Sequence, residues 1–246
     1  RKIRTGHEIV LRFTTIHDCD RIKEKSYRRY KTMSLEGKMK SGRLYCEFGH
    51  ELEENKAYEQ KIQNQRVHCK ELVYDYNQTR PSNGKEKRRI LDELLAEAGE
   101  EIWIESPAFF SYGCNTHIGH HFYSNFNMCV VDDCEVFIGN YVMFGPNVTL
   151  TVTGHPVWGE YRRKGAQFSL PIHIGDDVWV GSNTIILPGV TIGNDVVIGA
   201  GSVVTHDIPS HSVAFGTPCR VVREITEEDR LSYRKGCPVN EDWDRD

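Results

Sequence analysis

The residues best suited to chemistry are histidines, and one of them is set apart by its surroundings. His155 lies in Thr153-Gly154-His155-Pro156-Val157-Trp158, a polar insertion in the middle of a regular aliphatic repeat. An imidazole with an unperturbed pKa of about 6.5 is matched to general-base work near neutral pH. An alcohol is the kind of nucleophile that needs such help, because it attacks only as its proton leaves. A surface histidine in a loop is the bland alternative for any one of the eleven in the chain. His117, His120, His121, His155 and His173 are also numerous enough to supply the three imidazoles of a catalytic zinc site. The eight cysteines, Cys19, Cys46, Cys69, Cys114, Cys129, Cys134, Cys219 and Cys237, include no Cys-x-x-Cys pair. Their scatter suits neither a zinc ribbon nor a disulfide framework, and reduced thiols in a cytoplasm are expected.

The elements that must hold His155 repeat every six residues. Ile174-Gly175, Val180-Gly181, Ile192-Gly193 and Ile198-Gly199 share one phase with Ile186, and Ile138-Gly139, Phe144-Gly145 and Leu150 open the same register upstream. An amphipathic helix repeats about every 3.6 residues and a half-buried strand every two, so neither fits. The period predicts a solenoid whose short strands each send one aliphatic side chain into a central stack, with Gly, Asn or Asp turning the corners. Leu150 and Ile174 stand 24 residues apart, four hexads, yet Glu160-Tyr-Arg-Arg-Lys-Gly165 lies between them. Those charges have no place in an apolar core. The coil is therefore expected to leave its path over 154–170 as a protruding loop, a length that in compact domains is usually functional or disordered.

Four stretches divide the chain. Residues 1–32 carry ten Lys/Arg against four Asp/Glu; either they form a basic arm, or Met33 is a natural start and they are an upstream extension. Residues 33–100 read as helical. Ile90, Leu91, Leu94, Leu95 and Ala98 fall on one helix face, Pro81-Ser82-Asn83 supplies a start and Gly99 a stop. A second helix is expected from Leu52 to about Tyr74, with Tyr58, Ile62, Val67 and Leu72 inward. The solenoid occupies 101–223. A helix from Glu224 to about Arg234 and an acidic tail complete 224–246. A formal net charge of -4 argues against a nucleic-acid partner, since phosphate neutralisation wants a basic surface. No apolar run approaches the roughly 20 residues that span a bilayer.

Four phrases carry a resemblance: Tyr123-Ser-Asn125-Phe-Asn127, Val131-Asp-Asp133, Val152-Thr-Gly154-His155-Pro156 and Gly216-Thr-Pro218-Cys-Arg220-Val-Val-Arg223. With the hexads they resemble the galactoside and maltose O-acetyltransferases of the hexapeptide acyltransferase superfamily, from about Lys40 to Glu224. The resemblance implies a mainly β fold, a left-handed parallel β-helix of triangular section behind an N-terminal helical segment. It also implies a homotrimer with active sites between neighbouring subunits. The implied reaction is direct transfer of acetyl from acetyl-coenzyme A to a sugar hydroxyl, with no metal. His155 would be the base; Asn125 would contact the acetyl donor and, with the backbone N–H of Ser182, the oxyanion. Asp133 would hold the acceptor, with Ser111 and Tyr123 in the same pocket. Ser182 and Ala200 would line the pantetheine arm, Thr205, Arg220 and Arg223 the nucleotide end, and Trp179 would lie beside the groove.

The sequence also departs from the family pattern. His206 stands where relatives commonly carry lysine; a neutral imidazole binds phosphate less well, so coenzyme affinity is expected to be lower or pH-dependent. Val157-Trp158-Gly159 replaces further histidines of the galactoside enzymes. Glu47 is the nearest match to an aspartate that relatives use against the sugar, with about ten extra residues between it and Arg66; Glu47 and Arg66 are both expected as acceptor contacts. Other readings are a drug acetyltransferase of the chloramphenicol or streptogramin kind, which usually lacks the helical preface, a γ-type carbonic anhydrase, and a non-catalytic scaffold.

Overall fold

The computed structural model describes residues 33–240; the expectations for 1–32 and for the tail beyond Asn240 lie outside the described residues. Three helices come first: α1 (Leu35–Lys40), α2 (Glu53–Gln78) and α3 (Gly84–Leu94). Asn83 caps α3, its side chain accepting from the Glu86 N–H at 3.4 Å. Ile90, Leu91 and Leu94 are buried along it. The helix ends at Leu94, before the expected stop. Gly99 belongs instead to the first solenoid turn, where its N–H bonds the Ile118 carbonyl and a Cβ would lie 2.3 Å from Gly119 backbone. In α2 the buried stripe is Ile62, Cys69, Leu72 and Tyr76, successive positions on one helical face. Val67 falls off that stripe and is 60% exposed, contrary to expectation.

From Glu97 the chain winds as a parallel β-solenoid. Each full turn gives one short strand to each of three sheets. The first face contains Thr116–Ile118, Val136–Ile138, Ile172–Ile174 and Thr191–Ile192; the second, Tyr123–Ser124, Met143–Phe144, Val178–Val180 and Val196–Ile198; the third, Ala108–Phe110, Met128–Val131, Thr149–Thr151 and Ile185–Ile186. The hexad residues Ile138, Phe144, Leu150, Ile174, Val180, Ile186, Ile192 and Ile198 are all buried in the stack. One corner needs left-handed backbone, supplied by Asn127, Asn147 and Asn183 at φ of 62°, 61° and 59°. Their side chains link turn to turn, Asn127 Nδ2 to Asn147 Oδ1 at 2.9 Å and Asn147 Nδ2 to Asn183 Oδ1 at 3.0 Å.

The insertion leaves this register intact for a simple reason. Ile138 pairs with Ile174, 36 residues on, and Ile174 with Ile192, 18 residues on. The inserted turn is thus longer by one whole turn's worth of chain, and the hexad phase passes through unbroken. The loop itself is ordered, not simply bulged. Thr153–Gly154 pairs antiparallel with Phe168–Ser169, and a short helix, α4 (Gly159–Arg163), forms its tip.

At the C-terminal end, Cys219–Glu224 runs antiparallel to Ser212–Gly216 and covers the edge of the second sheet. The expected helix from Glu224 is consequently much shorter. Glu224 is still paired to Ser212, so α5 spans only Glu227–Leu231 behind a Thr226–Asp229 capping box, and a hairpin of Ser232–Arg234 and Cys237–Pro238 follows. Among the described residues no helix is long and apolar enough to cross a membrane.

Candidate active site

His155 sits at the base of the hairpin, exposed, with Nδ1 3.0 Å from the Ala166 carbonyl oxygen. A carbonyl only accepts, so this contact places the proton on Nδ1. In the neutral ring Nε2 then carries the lone pair, and among the described residues Nε2 has no partner. The loop beyond is tied down by Arg162, whose Nη1 donates to the Pro156 carbonyl at 2.7 Å and to that of Val157.

Beneath His155 the structure gathers residues far apart in sequence. Thr153 Oγ1 donates to Asp133 Oδ2 at 2.7 Å. Arg66 Nη2 meets both carboxylate oxygens of Glu47, at 2.8 and 2.9 Å, and lies 3.5 Å from Asp133 Oδ1. The chain between them does not separate Glu47 from Arg66: α2 begins at Glu53 and carries Arg66 back against Glu47. Glu47 is 6% exposed and Asp133 8%. Burial first, and then the neighbouring Glu47 carboxylate, push the Asp133 carboxyl above its ordinary range. The sequence reading missed Tyr45, Tyr112, Thr153, Gln167 and Ser169 in this cluster. Thr153, Gln167 and Ser169 had a local signal, through their place in or beside the insertion; Tyr45 meets Ser169 and Gln167 across more than 120 residues of chain.

Ser111 lies one solenoid turn from Val131, its N–H bonded to the Val130 carbonyl, close to this cluster. Tyr123 does not join it. It stands in the outward row of the second face, between Trp103 and Met143, with Trp179 next in register.

The residues expected at the acetyl donor lie along another corner, between the second and third faces. Asn125 occupies the column filled by Gly145, Gly181 and Gly199 in the later turns, as the N–H to carbonyl ladder shows. Its Oδ1 accepts the Phe126 N–H at 2.9 Å, while Nδ2 has no partner among the described residues. One position further on, the backbone N–H groups of Ser182 and Ala200 likewise find no acceptor there. Close packing forces glycine behind them: a Cβ at Gly181 would sit 2.5 Å from Ala200 N. His206 and Arg220 line a cavity of about 430 Å³ with Ile208 and Val221. His206 Nδ1 is 2.8 Å from Thr205 Oγ1. Arg220 and Arg223 face the same way, opposite Phe215 and Val213. Arg223, however, is already held in a fork by Asp229, at 2.7 and 2.8 Å, which also pulls the Asp229 carboxyl down to about 2. Among the described residues no group of three or more His, Cys, Asp or Glu side chains is arranged to hold a metal ion. His117 and His173 stack on either side of Phe137 instead, with centroids 4.7 and 4.9 Å away.

A parallel solenoid of three-strand turns with one inserted hairpin loop is the architecture of a hexapeptide-repeat protein, and the comparisons with known proteins agree. The bacterial transferase hexapeptide family model (six repeats) matches residues 171–206, and the maltose acetyltransferase hexapeptide capping motif matches 38–99. The galactoside O-acetyltransferase of Escherichia coli (strain K12) is 46% identical over 207 residues, 84% of this chain and 97% of its own. A galactoside acetyltransferase solved in complex with coenzyme A matches with a TM-score of 0.77 and 44% identity, covering 85% of this chain and 100% of that one. A maltose O-acetyltransferase from Clostridium difficile 630 matches with a TM-score of 0.72 and 38% identity, over 79% of this chain and 98% of its own. The chain belongs to the galactoside/maltose O-acetyltransferase family of hexapeptide-repeat proteins.

Proposed function

We propose that this acetyl-coenzyme A-dependent acyltransferase moves the acetyl group directly onto a sugar hydroxyl, with His155 as general base. The observation that carries the reading is the Nδ1 contact to Ala166, which leaves Nε2 as the basic nitrogen of the neutral ring. The acceptor hydroxyl oxygen attacks the thioester carbonyl carbon while its proton passes to Nε2. Collapse of the tetrahedral species breaks the carbon–sulfur bond, and the imidazolium returns the proton to the leaving thiolate. The unpartnered Asn125 Nδ2 and the Ser182 N–H are donors of the kind a developing oxyanion requires. Asp133, Glu47 and Arg66 hold the acceptor, with Ser111 beside them. The free N–H groups of Ser182 and Ala200 receive the pantetheine arm; Thr205, His206, Arg220 and Arg223 take the nucleotide end, and Trp179 flanks the groove.

Within one chain the two halves of this site do not meet. Asp133 and His155 belong to one end of the third face and Asn125 to the other. The strand Met128–Val131 lies between them, on the order of 13 Å at 3.3 Å per residue. A site completed by a neighbouring copy, as in a homotrimer, unites His155 of one subunit with the Asn125 corner of the next.

Replacing His155 by Ala tests the reading through thiol release from acetyl-coenzyme A with galactosides, maltose or glucose as acceptor. Turnover should fall by roughly 10²- to 10⁴-fold, the scale of general-base catalysis, while coenzyme binding by calorimetry stays intact. Loss of both would point to a folding role for His155 and sink the assignment.

A further inference from the structure

The hydrogen bonds beneath His155 close into a ring. Asp133 Oδ2 meets Thr153 Oγ1 at 2.7 Å, Thr153 Oγ1 meets Ser169 Oγ at 3.1 Å, and Ser169 Oγ meets Tyr45 OH at 2.6 Å. Tyr45 OH accepts from Gln167 Nε2 at 3.0 Å, and the same nitrogen reaches Glu47 Oε1 at 3.1 Å. Arg66 Nη2 then joins Glu47, at 2.8 Å, to Asp133 Oδ1, at 3.5 Å.

Proton counting gives this ring a direction. An ionised carboxylate only accepts, so Thr153 must donate to Asp133. That uses the one proton of the Thr153 hydroxyl, and Ser169 must therefore donate to Thr153. Ser169 in turn has no proton left for Tyr45, so Tyr45 donates to Ser169. The tyrosine oxygen is then left to accept, and Gln167 Nε2, which only donates, is the group it meets. No hydroxyl in the chain is free to point the other way. The donors converge on a single oxygen, Oδ2 of Asp133. The other oxygen, Oδ1, has its cationic partner Arg66 at 3.5 Å, longer than the roughly 2.7–2.9 Å of a strong charge-assisted bond, and the neighbouring Glu47 carboxylate, which Arg66 also holds, raises the Asp133 carboxyl. It keeps the capacity to accept from a hydroxyl brought in from outside.

We infer that Thr153, Ser169 and Tyr45 are positioning residues for the acceptor, a one-way hydrogen-bond chain that fixes Asp133 with Oδ2 filled and Oδ1 open to a hydroxyl that donates. This rests on the reading of Asp133 as an acceptor ligand. It makes acceptor affinity depend on three hydroxyls that need not touch the sugar, two of them, those of Tyr45 and Ser169, on almost wholly buried side chains. It also couples the N-terminal segment at Tyr45 to the return strand of the base loop at Ser169, so that the acceptor carboxylate and the hairpin carrying His155 are set by one network.

The test is the acceptor KM at saturating acetyl-coenzyme A, with methyl β-galactoside and maltose as probes, for Thr153→Val, Thr153→Ser, Ser169→Ala and Asp133→Asn. Thr153→Val should raise it about tenfold or more, as expected for a hydrogen bond to a charged group, and Ser169→Ala roughly three- to tenfold. Thr153→Ser keeps the hydroxyl and should stay within about twofold of the wild type, and no variant should move the acetyl-coenzyme A KM by more than about twofold. An unchanged acceptor KM in Thr153→Val and Ser169→Ala, with Asp133→Asn impaired, overturns the chain while leaving Asp133 as the ligand. An unchanged KM in Asp133→Asn overturns the acceptor reading itself. Thermal melting gives a readout free of any acceptor: losses in Thr153→Val and Ser169→Ala that fail to add in the double variant support the chain, and additive losses refute it.

Discussion

Asp132, the neighbour of Asp133, offers a test of the forces that shape this corner. It is wholly buried. Its Oδ1 accepts the N–H groups of Ser111 and Tyr112 at 3.1 and 2.8 Å, and its Oδ2 the Thr116 hydroxyl at 2.9 Å. Burial outweighs these bonds and pushes the carboxyl up from 3.8 to about 6. The folded state therefore holds a proton that the unfolded chain has already lost between those values. With more protons bound in the native state, stability falls as pH rises through this window and levels off above it. At 1.36 kcal/mol per pH unit, the window from 3.8 to about 6 corresponds to roughly 3 kcal/mol at most. Asp132→Asn removes the charge and keeps an oxygen for the two backbone amides. Its amide nitrogen would face a Thr116 hydroxyl that can rotate to accept. Thermal melts from pH 4 to 7.5 should show the wild type losing melting temperature relative to the variant. At about 2–4 °C per kcal/mol for a chain of this size, the gap amounts to several degrees. Asp133, raised by the same burial, contributes equally to both proteins and cancels in the difference. Parallel melting curves for the two would refute the assignment of that slope to Asp132.

Two further outcomes follow from the donor side. Asn125→Ala should lower kcat by about 10²- to 10³-fold, the cost of one oxyanion donor, with acetyl-coenzyme A binding preserved; pre-steady-state thiol release measures it, and a change under threefold would return Asn125 to a corner role. If Arg223 takes the nucleotide end as proposed, Asp229→Asn should lower the KM for acetyl-coenzyme A, because Asp229 holds the Arg223 fork that a phosphate would need. The difference should shrink at 0.5 M salt, where screening reaches about 4 Å, and a raised KM would mean that Asp229 orients Arg223 instead.

The hexad period, the position of His155 in an insertion and the helix start at Asn83 were legible in the amino-acid sequence because each is written locally. An aliphatic residue every six positions states which side chains enter the stack wherever the turns lie in space. The insertion kept that phase by matching one turn in length, so Ile174 could be placed without knowing the shape of the loop. Boundaries that depend on a neighbour were not legible in this way. Gly99 joined the first turn because its N–H found Ile118, and Glu224 stayed in a strand because Ser212 was there to pair with it. The site depended still more on tertiary structure. Glu47, Arg66, Asp133 and His155 were each suggested singly by resemblance, but only the fold brings Tyr45 against Ser169 and Gln167. A hydrogen bond forms where two groups arrive within about 3 Å, and no local pattern encodes that arrival across 120 residues of chain. The same limit placed Asn125 and His155 at opposite ends of one face, a separation that a repeat read along the chain does not reveal.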